Sequence, residues 1–200
     1  MTIPGAGKES SGKKLWLVLS IVAVFAATAV LLRLEGRLWL CACGQIFIWV
    51  GQVCSSNNSQ HLFDPYSFTH LLHGFLFFWL IAGVVKFLLP RLKPNWQLIL
   101  AVALEGAWEV FENTNFIIER YRTATAALGY NGDTVVNSLG DILCCTLGFL
   151  VARRLGLRRS LIVFLVLEVV LILWIKDSLL LEILMLVVPV DFIRTWQMCA

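Results

Sequence analysis

Three short stretches place ionisable or amide side chains where an apolar run would otherwise continue: "THLLHGF", "LEGAWEVFEN" and "GDTVVNSLGD". They supply His70 and His73, then Glu105, Glu109 and Glu112, then Asp133, Asn137 and Asp141. Imidazole nitrogens and carboxylate oxygens are good ligands for a divalent metal such as zinc, and a surplus carboxylate can act as general base on a bound water. On that chemistry His70, His73, Glu109 and Asp141 are the expected metal ligands. Glu109, Glu112, Asp133 and Asn137 are the expected catalytic groups. The spacing matches no signature such as H-E-x-x-H.

Periodicity sorts these residues into stripes. Positions 105, 109 and 112 fall within about 60° of one helix face. His70 and His73 form an i, i+3 pair, and Asp133, Asn137 and Asp141 recur at i, i+4, i+8. A carboxylate at a bilayer centre costs about 2.5–3.5 kcal/mol on insertion scales, so the stripes should turn inward and face one another. Two other readings compete with a metal or acid–base site. One is a structural network gluing helices, with Asp133 as an N-cap; the other is a proton or ion pathway. Against the pathway, the sequence below Glu105 is nearly all apolar. Arg120 and Arg122, beside Glu119, can hold a lipid phosphate by bidentate hydrogen bonds or anchor the chain at the interface. His61 reads as a loop histidine or a lid over the site.

The elements that position these groups follow from composition. The chain has 200 residues, 59% hydrophobic and 14% charged, with a mean hydropathy of +0.82. That is the profile of a polytopic membrane protein, and a net charge of +3 gives no reason to expect nucleic acid. Runs long enough to cross the hydrocarbon layer lie at Leu15–Leu32, Pro65–Leu89, Pro94–Arg120, Asp133–Ala152 and Ser160–Ile175. The fold class expected is all-α, a bundle of about five transmembrane helices. Residues 1–14 form a polar tail and 15–200 one membrane-embedded domain. Leu179–Val190 is short and carries Glu182 and Pro189, which suits an interfacial or re-entrant helix. The outer segment 33–64, with Trp39, Cys41 and Cys43 alternating with other residues, suits a small β-hairpin or a re-entrant helix. Cys54 could pair there with Cys41 or Cys43, or the thiols could stay free; Cys144 and Cys145 should only pack.

Basic residues set the orientation. Lys8, Lys13 and Lys14, then Arg91 and Lys93, then Arg153, Arg154, Arg158 and Arg159 fall on one side if the spans alternate, and the positive-inside rule makes that side cytoplasmic. The amino terminus is then inside, in the cell inner membrane, and the polar stripes face the periplasm. Depth agrees. His70 and His73 lie roughly 8 and 12 Å from the outer end of their helix, Glu112 and Glu109 about 12 and 17 Å below Arg120, and Asn137 and Asp141 about 6 and 12 Å below Asp133. Glu105 is deeper, near the midplane.

The stretches "CACG", "NSQHLFDPYSFTHLLHGFLF", "EGAWEVFEN", "GYNGDTVVNSLGD" and "KDSLLLEILMLVVPVDFIRTWQ" resemble an alphaproteobacterial group of multi-pass inner-membrane proteins, the domain of unknown function 2585 or uncharacterised protein family 0314. That resemblance implies fold and location but no activity. Spans two to four also resemble VanZ-like proteins of the cell envelope. There Asp64 with His70 or His73, Glu109 with Glu112, Arg120 or Arg122, and Asp133, Asn137 and Gly140 match the order of motifs. Glu112 stands where that group tends to have Gln. The likeness implies a shared helical core and an envelope role. The expected function is binding, or hydrolysing or modifying, a lipid or lipid-linked envelope intermediate, with membrane lipids as partners. A non-catalytic membrane or assembly subunit is the alternative, and a proton-coupled transporter the third.

Overall fold

The computed structural model describes residues 11–88, 90–126 and 129–198; the tail before them, with Lys8, lies outside the described residues. Seven helices follow in order: α1 (Ser11–Leu34), α2 (Ser67–Phe87), α3 (Pro94–Glu112), α4 (Asn115–Ala124), α5 (Val135–Ile175), α6 (Leu179–Val187) and α7 (Asp191–Gln197). The chain is all-α among the described residues. Two of the five expected spans, Lys14–Leu34 and Ser67–Val85, are long and apolar enough on length and composition to cross a membrane.

Local signals explain most boundaries. Pro94 opens α3 at its first turn, where its missing N–H costs nothing. The run expected to continue to Arg120 breaks after Glu112. Asn113 closes α3, and the Thr114 hydroxyl caps α4 by accepting from Ile117 N–H, so one expected span is two helices. The fourth and fifth expected spans are instead joined in α5, which turns sharply at Gly156 (φ 72°, ψ 171°), a conformation that glycine adopts without a Cβ clash. Asp133 does not cap α5. Thr134 does, accepting from Asn137 N–H.

The outer segment is not a hairpin. Among the described residues it forms one isolated parallel bridge, Trp49 to Phe63, with Phe63 N–H donating to Ile48 O and Val50 N–H to Phe63 O. Parallel neighbours cannot be joined by a tight turn, and the intervening residues make turns instead. Cys41 is bonded to Cys43, which leaves neither for Cys54; Cys144 and Cys145 are free.

Packing is closest between α2 and the first half of α5. A Cβ built on Gly74 would overlap the backbone of Cys145, and one on Gly148 would overlap that of Leu71. The two backbones therefore touch, as small residues allow in helix pairs. On α3, Gly106 meets the Thr28 side chain of α1. Below these contacts Ile81, Leu98, Ala101, Val102, Ile142 and Phe149 form a buried apolar cluster. The outer surface is apolar as well: Leu143, Leu147, Leu161, Leu165, Val169 and Leu173 of α5 are all exposed.

Candidate cation-binding site

The polar residues lie inside this bundle. Glu105 and Glu109 are both 0% exposed, and His70, Glu112, Asp133, Asn137 and Asp141 are buried. Helical spacing on α3 aims its three glutamates at α2, where His70 and His73 sit on the facing stripe. His70 Nδ1 lies 2.7 Å from Glu105 Oε1 and 3.1 Å from Glu109 Oε1. His73 Nδ1 lies 3.1 Å from Glu105 Oε2. Glu105 is thus held by both imidazoles. Asp141 of α5 approaches the other edge of His70, 4.0 Å from Nε2, and accepts a 2.7 Å hydrogen bond from Ser67 Oγ.

Glu109 differs from Glu105. Among the described residues neither of its oxygens has a hydrogen-bond partner, and the same holds for Glu112 Oε2 and Asn137 Nδ2. Glu112 Oε1 accepts from Tyr121 Oη at 2.7 Å. One donor atom each from His70, Glu109 and Glu112 lies within 4.8 Å of the others, and the same is true of His70, His73 and Glu105. Buried carboxylates without donors are costly unless protonated or bound to a cation. Either trio could hold a metal ion.

The expected residues therefore come together, but in a different grouping. His73 faces Glu105 rather than Glu109, and Asp141 is tied to Ser67. The groups close enough to share an ion form two overlapping trios, which bring in Glu105 and Glu112 beside the expected His70, His73 and Glu109. Glu105, expected near the midplane and apart from the site, lies within 3.1 Å of both imidazoles. Asp133 joins a network rather than a helix cap: it accepts from Asn113 Nδ2 at 2.9 Å and from Tyr130 Oη at 3.0 Å.

A cavity of about 570 Å³ opens above His70, Glu112, Asn137 and Asp141. Sequence reasoning missed its far wall, where Tyr66, Asp177 and Glu182 stand. A glutamate inside the apolar run of α6 was the available signal. Asp177, in the turn between α5 and α6, is raised to about 7, mainly because burial disfavours its charged form. Burial likewise raises Asp64, against hydrogen bonds from Ser59 and Tyr66 N–H. Asp64 sits ahead of α2 and orders its leading turn, accepting from Tyr66 N–H at 2.8 Å.

Arg120 and Arg122 stand outside the cavity lining. Arg120 Nε donates to Leu186 O at 2.8 Å and its Nη2 to Val187 O at 3.3 Å, tying α4 to the end of α6. Arg122 Nε donates to Tyr130 O at 2.5 Å and pairs with Glu119 at 3.7 Å. His61 is buried in the outer segment, where Nδ1 accepts from Phe47 N–H at 3.3 Å.

Known proteins share this sequence but bring no chemistry with it. The family described as "Protein of unknown function (DUF2585)" matches residues 32–199. A UPF0314 protein of Rhizobium meliloti is 43% identical over 200 residues, covering 98% of each chain. One from Sinorhizobium fredii is 41% identical over 199 residues, again 98% of each. A third, from Sphingopyxis alaskensis, is 41% identical over 182 residues, 91% of this chain and 94% of the relative. No solved structure matches the chain. The comparisons do not show the looser likeness to VanZ-like proteins. The chain belongs to the DUF2585 family, whose curated relatives are UPF0314 proteins of alphaproteobacteria.

Proposed function

We propose that this is a polytopic inner-membrane protein whose periplasm-facing pocket holds a divalent cation at His70, Glu109 and Glu112 and there binds and acts on a lipid or lipid-linked envelope intermediate. The inverted surface supports membrane embedding: polar groups are buried while leucines and valines of α5 are exposed. In this reading α1, α2, α3 and the two halves of α5 cross the bilayer, with the basic residues inside. The apolar cluster beneath Glu105 favours a pocket open on one side over a transporter's path.

The observation that carries the cation is Glu109, which accepts no hydrogen bond on either oxygen and has His70 Nδ1 3.1 Å from Oε1, beside the bare Glu112 Oε2. A divalent ion there would supply the positive charge that the buried carboxylates lack, and it would polarise a phosphoryl or carbonyl oxygen of the ligand. Because Arg120 and Arg122 are engaged with backbone carbonyls, the cation is the group left to meet a phosphate. Asn137 Nδ2 would donate to the ligand's oxygens, while Glu112, Asp133 and Asp141 would place or take protons.

The test is elemental analysis of detergent-purified protein, wild type beside Glu109→Gln and His70→Gln. About one divalent ion per chain is expected in the wild type and none in the variants. A metal-free wild type whose melting temperature does not respond to zinc would remove the cation. The second reading, a purely structural network, is favoured by the clamping of Glu105 by both histidines. It predicts that Glu109→Gln leaves both stability and cellular phenotype untouched.

A further inference from the structure

The lining of the cavity has a composition that the cation site does not explain. It includes five carboxylates, Glu112, Asp133, Asp141, Asp177 and Glu182, with no lysine or arginine among the described residues. All three tyrosines of the chain, Tyr66, Tyr121 and Tyr130, line it too. Each tyrosine is paired with a different lining acid. Tyr121 Oη donates to Glu112, Tyr130 Oη to Asp133, and Tyr66 to Asp177. The Tyr121 and Tyr130 rings meet at 78°, with centroids 5.3 Å apart, like two walls of a box. A phenol that donates to a carboxylate holds it in place against the ring.

Aromatic faces set at right angles and backed by carboxylates form the environment that attracts an ammonium group. An anion entering the same space would meet a row of acids and, among the described lining residues, no basic side chain but His70, which Glu105 already holds. Two buried atoms on the lining also point to an occupant. Glu112 Oε2 lacks a donor and Asn137 Nδ2 lacks an acceptor, while both residues line the cavity. A ligand that satisfies both brings a donor or a positive charge to Glu112 and an acceptor oxygen to Asn137.

We propose that the cavity selects an ammonium-bearing, zwitterionic headgroup, in which the ammonium sits against Tyr121, Tyr130 and their acids and a phosphate or ester oxygen accepts from Asn137. This names the ligand class within the function proposed above and rests on that reading only for the lipid. The ammonium subsite itself needs no metal.

The experiment uses full-length protein in detergent with chelator present. Free phosphocholine and phosphoethanolamine are titrated against glycerol 3-phosphate, which shares the phosphate and lacks the ammonium. Both amines should raise the melting temperature and the glycerol ester should not. Tyr130→Leu should weaken amine binding about tenfold, consistent with the loss of one aromatic wall. Asn137→Ala should weaken binding of the headgroups while sparing tetramethylammonium, which tells the oxygen subsite from a general loss of fold. Nanodiscs of phosphatidylethanolamine and of phosphatidylglycerol then separate a lipid from a free metabolite. Stabilisation by the first lipid alone assigns a lipid headgroup; an effect of the free amines without any lipid preference assigns a soluble one. Equal binding of amine and glycerol esters, or of neither, overturns the proposal. So does an amine effect that vanishes in chelator, because the phosphate on the metal would then account for it. Metal binding without amine binding would sink this inference and leave the cation site standing.

Discussion

Glu105 and Glu109 stand one turn apart on α3 and are equally inaccessible, yet their surroundings are opposites. Glu105 is gripped by His70 and His73, while Glu109 has only the flank of His70, 3.1 Å from Oε1, and accepts no hydrogen bond on either oxygen. The same residue type at the same burial is in one case finished by the protein and in the other left open. A polar group satisfied within the fold belongs to stability; one left bare inside it points to something that arrives later.

The largest expected effect comes from breaking the finished half. Glu105→Ala leaves two imidazoles without their shared acceptor, a loss of about 3–5 kcal/mol for a disrupted buried pair. For a chain of this size that lowers the melting temperature by about 10 °C or more in a thermal scan. Glu109→Gln should shift the metal-free protein by less than about 1 kcal/mol, since no hydrogen bond is lost. Its zinc affinity should nonetheless fall at least about a hundredfold in calorimetry, beyond the effect of losing a supporting group. If Glu109→Gln bound zinc as the wild type does, the contrast would collapse and the whole cluster would be structural. Tyr121→Phe should cost about 1 kcal/mol by removing the one donor to Glu112, and it should not change zinc stoichiometry.

A separate effect, read against pH, tests burial away from α3. Asp177 keeps its proton up to about 7 in the folded chain against 3.8 as a model carboxyl. Its folded value is the raised one, so its contribution is complete below 3.8 and is lost as pH rises through about 7. Melting temperature should therefore decline across that window, and Asp177→Asn should flatten part of the decline.

Much of the site was legible because helical periodicity is local. The stripes on α2, α3 and α5 follow from spacing alone, and an inward orientation follows from the cost of exposing charge to lipid. What failed was set by contacts distant in sequence. Counting along single helices sets Glu105 below the site because it cannot show how α2 and α3 are staggered against each other. Asp133 looked like a cap until Asn113, twenty residues earlier, took its carboxylate. The arginines looked free because carbonyls released at the end of α6 cannot be matched to them from sequence. Alternating residues in the outer segment suggested paired strands, but its bridge to Phe63 runs parallel. The tyrosine wall is assembled from two loops and one short helix, and no single stretch announces it.

The glycine contact between α2 and α5 bears on how such a pocket could respond to its occupant. Main chains that touch at Gly74 and Gly148 cannot slide past each other without steric overlap, so the imidazoles and Asp141 are carried by one stiff unit. The third helix meets its neighbour α1 through the threonine side chain at Gly106, a softer seat. Filling or emptying the gap beside Glu109 would then be registered as travel of the glutamate-bearing helix, a single jaw closing on a fixed anvil.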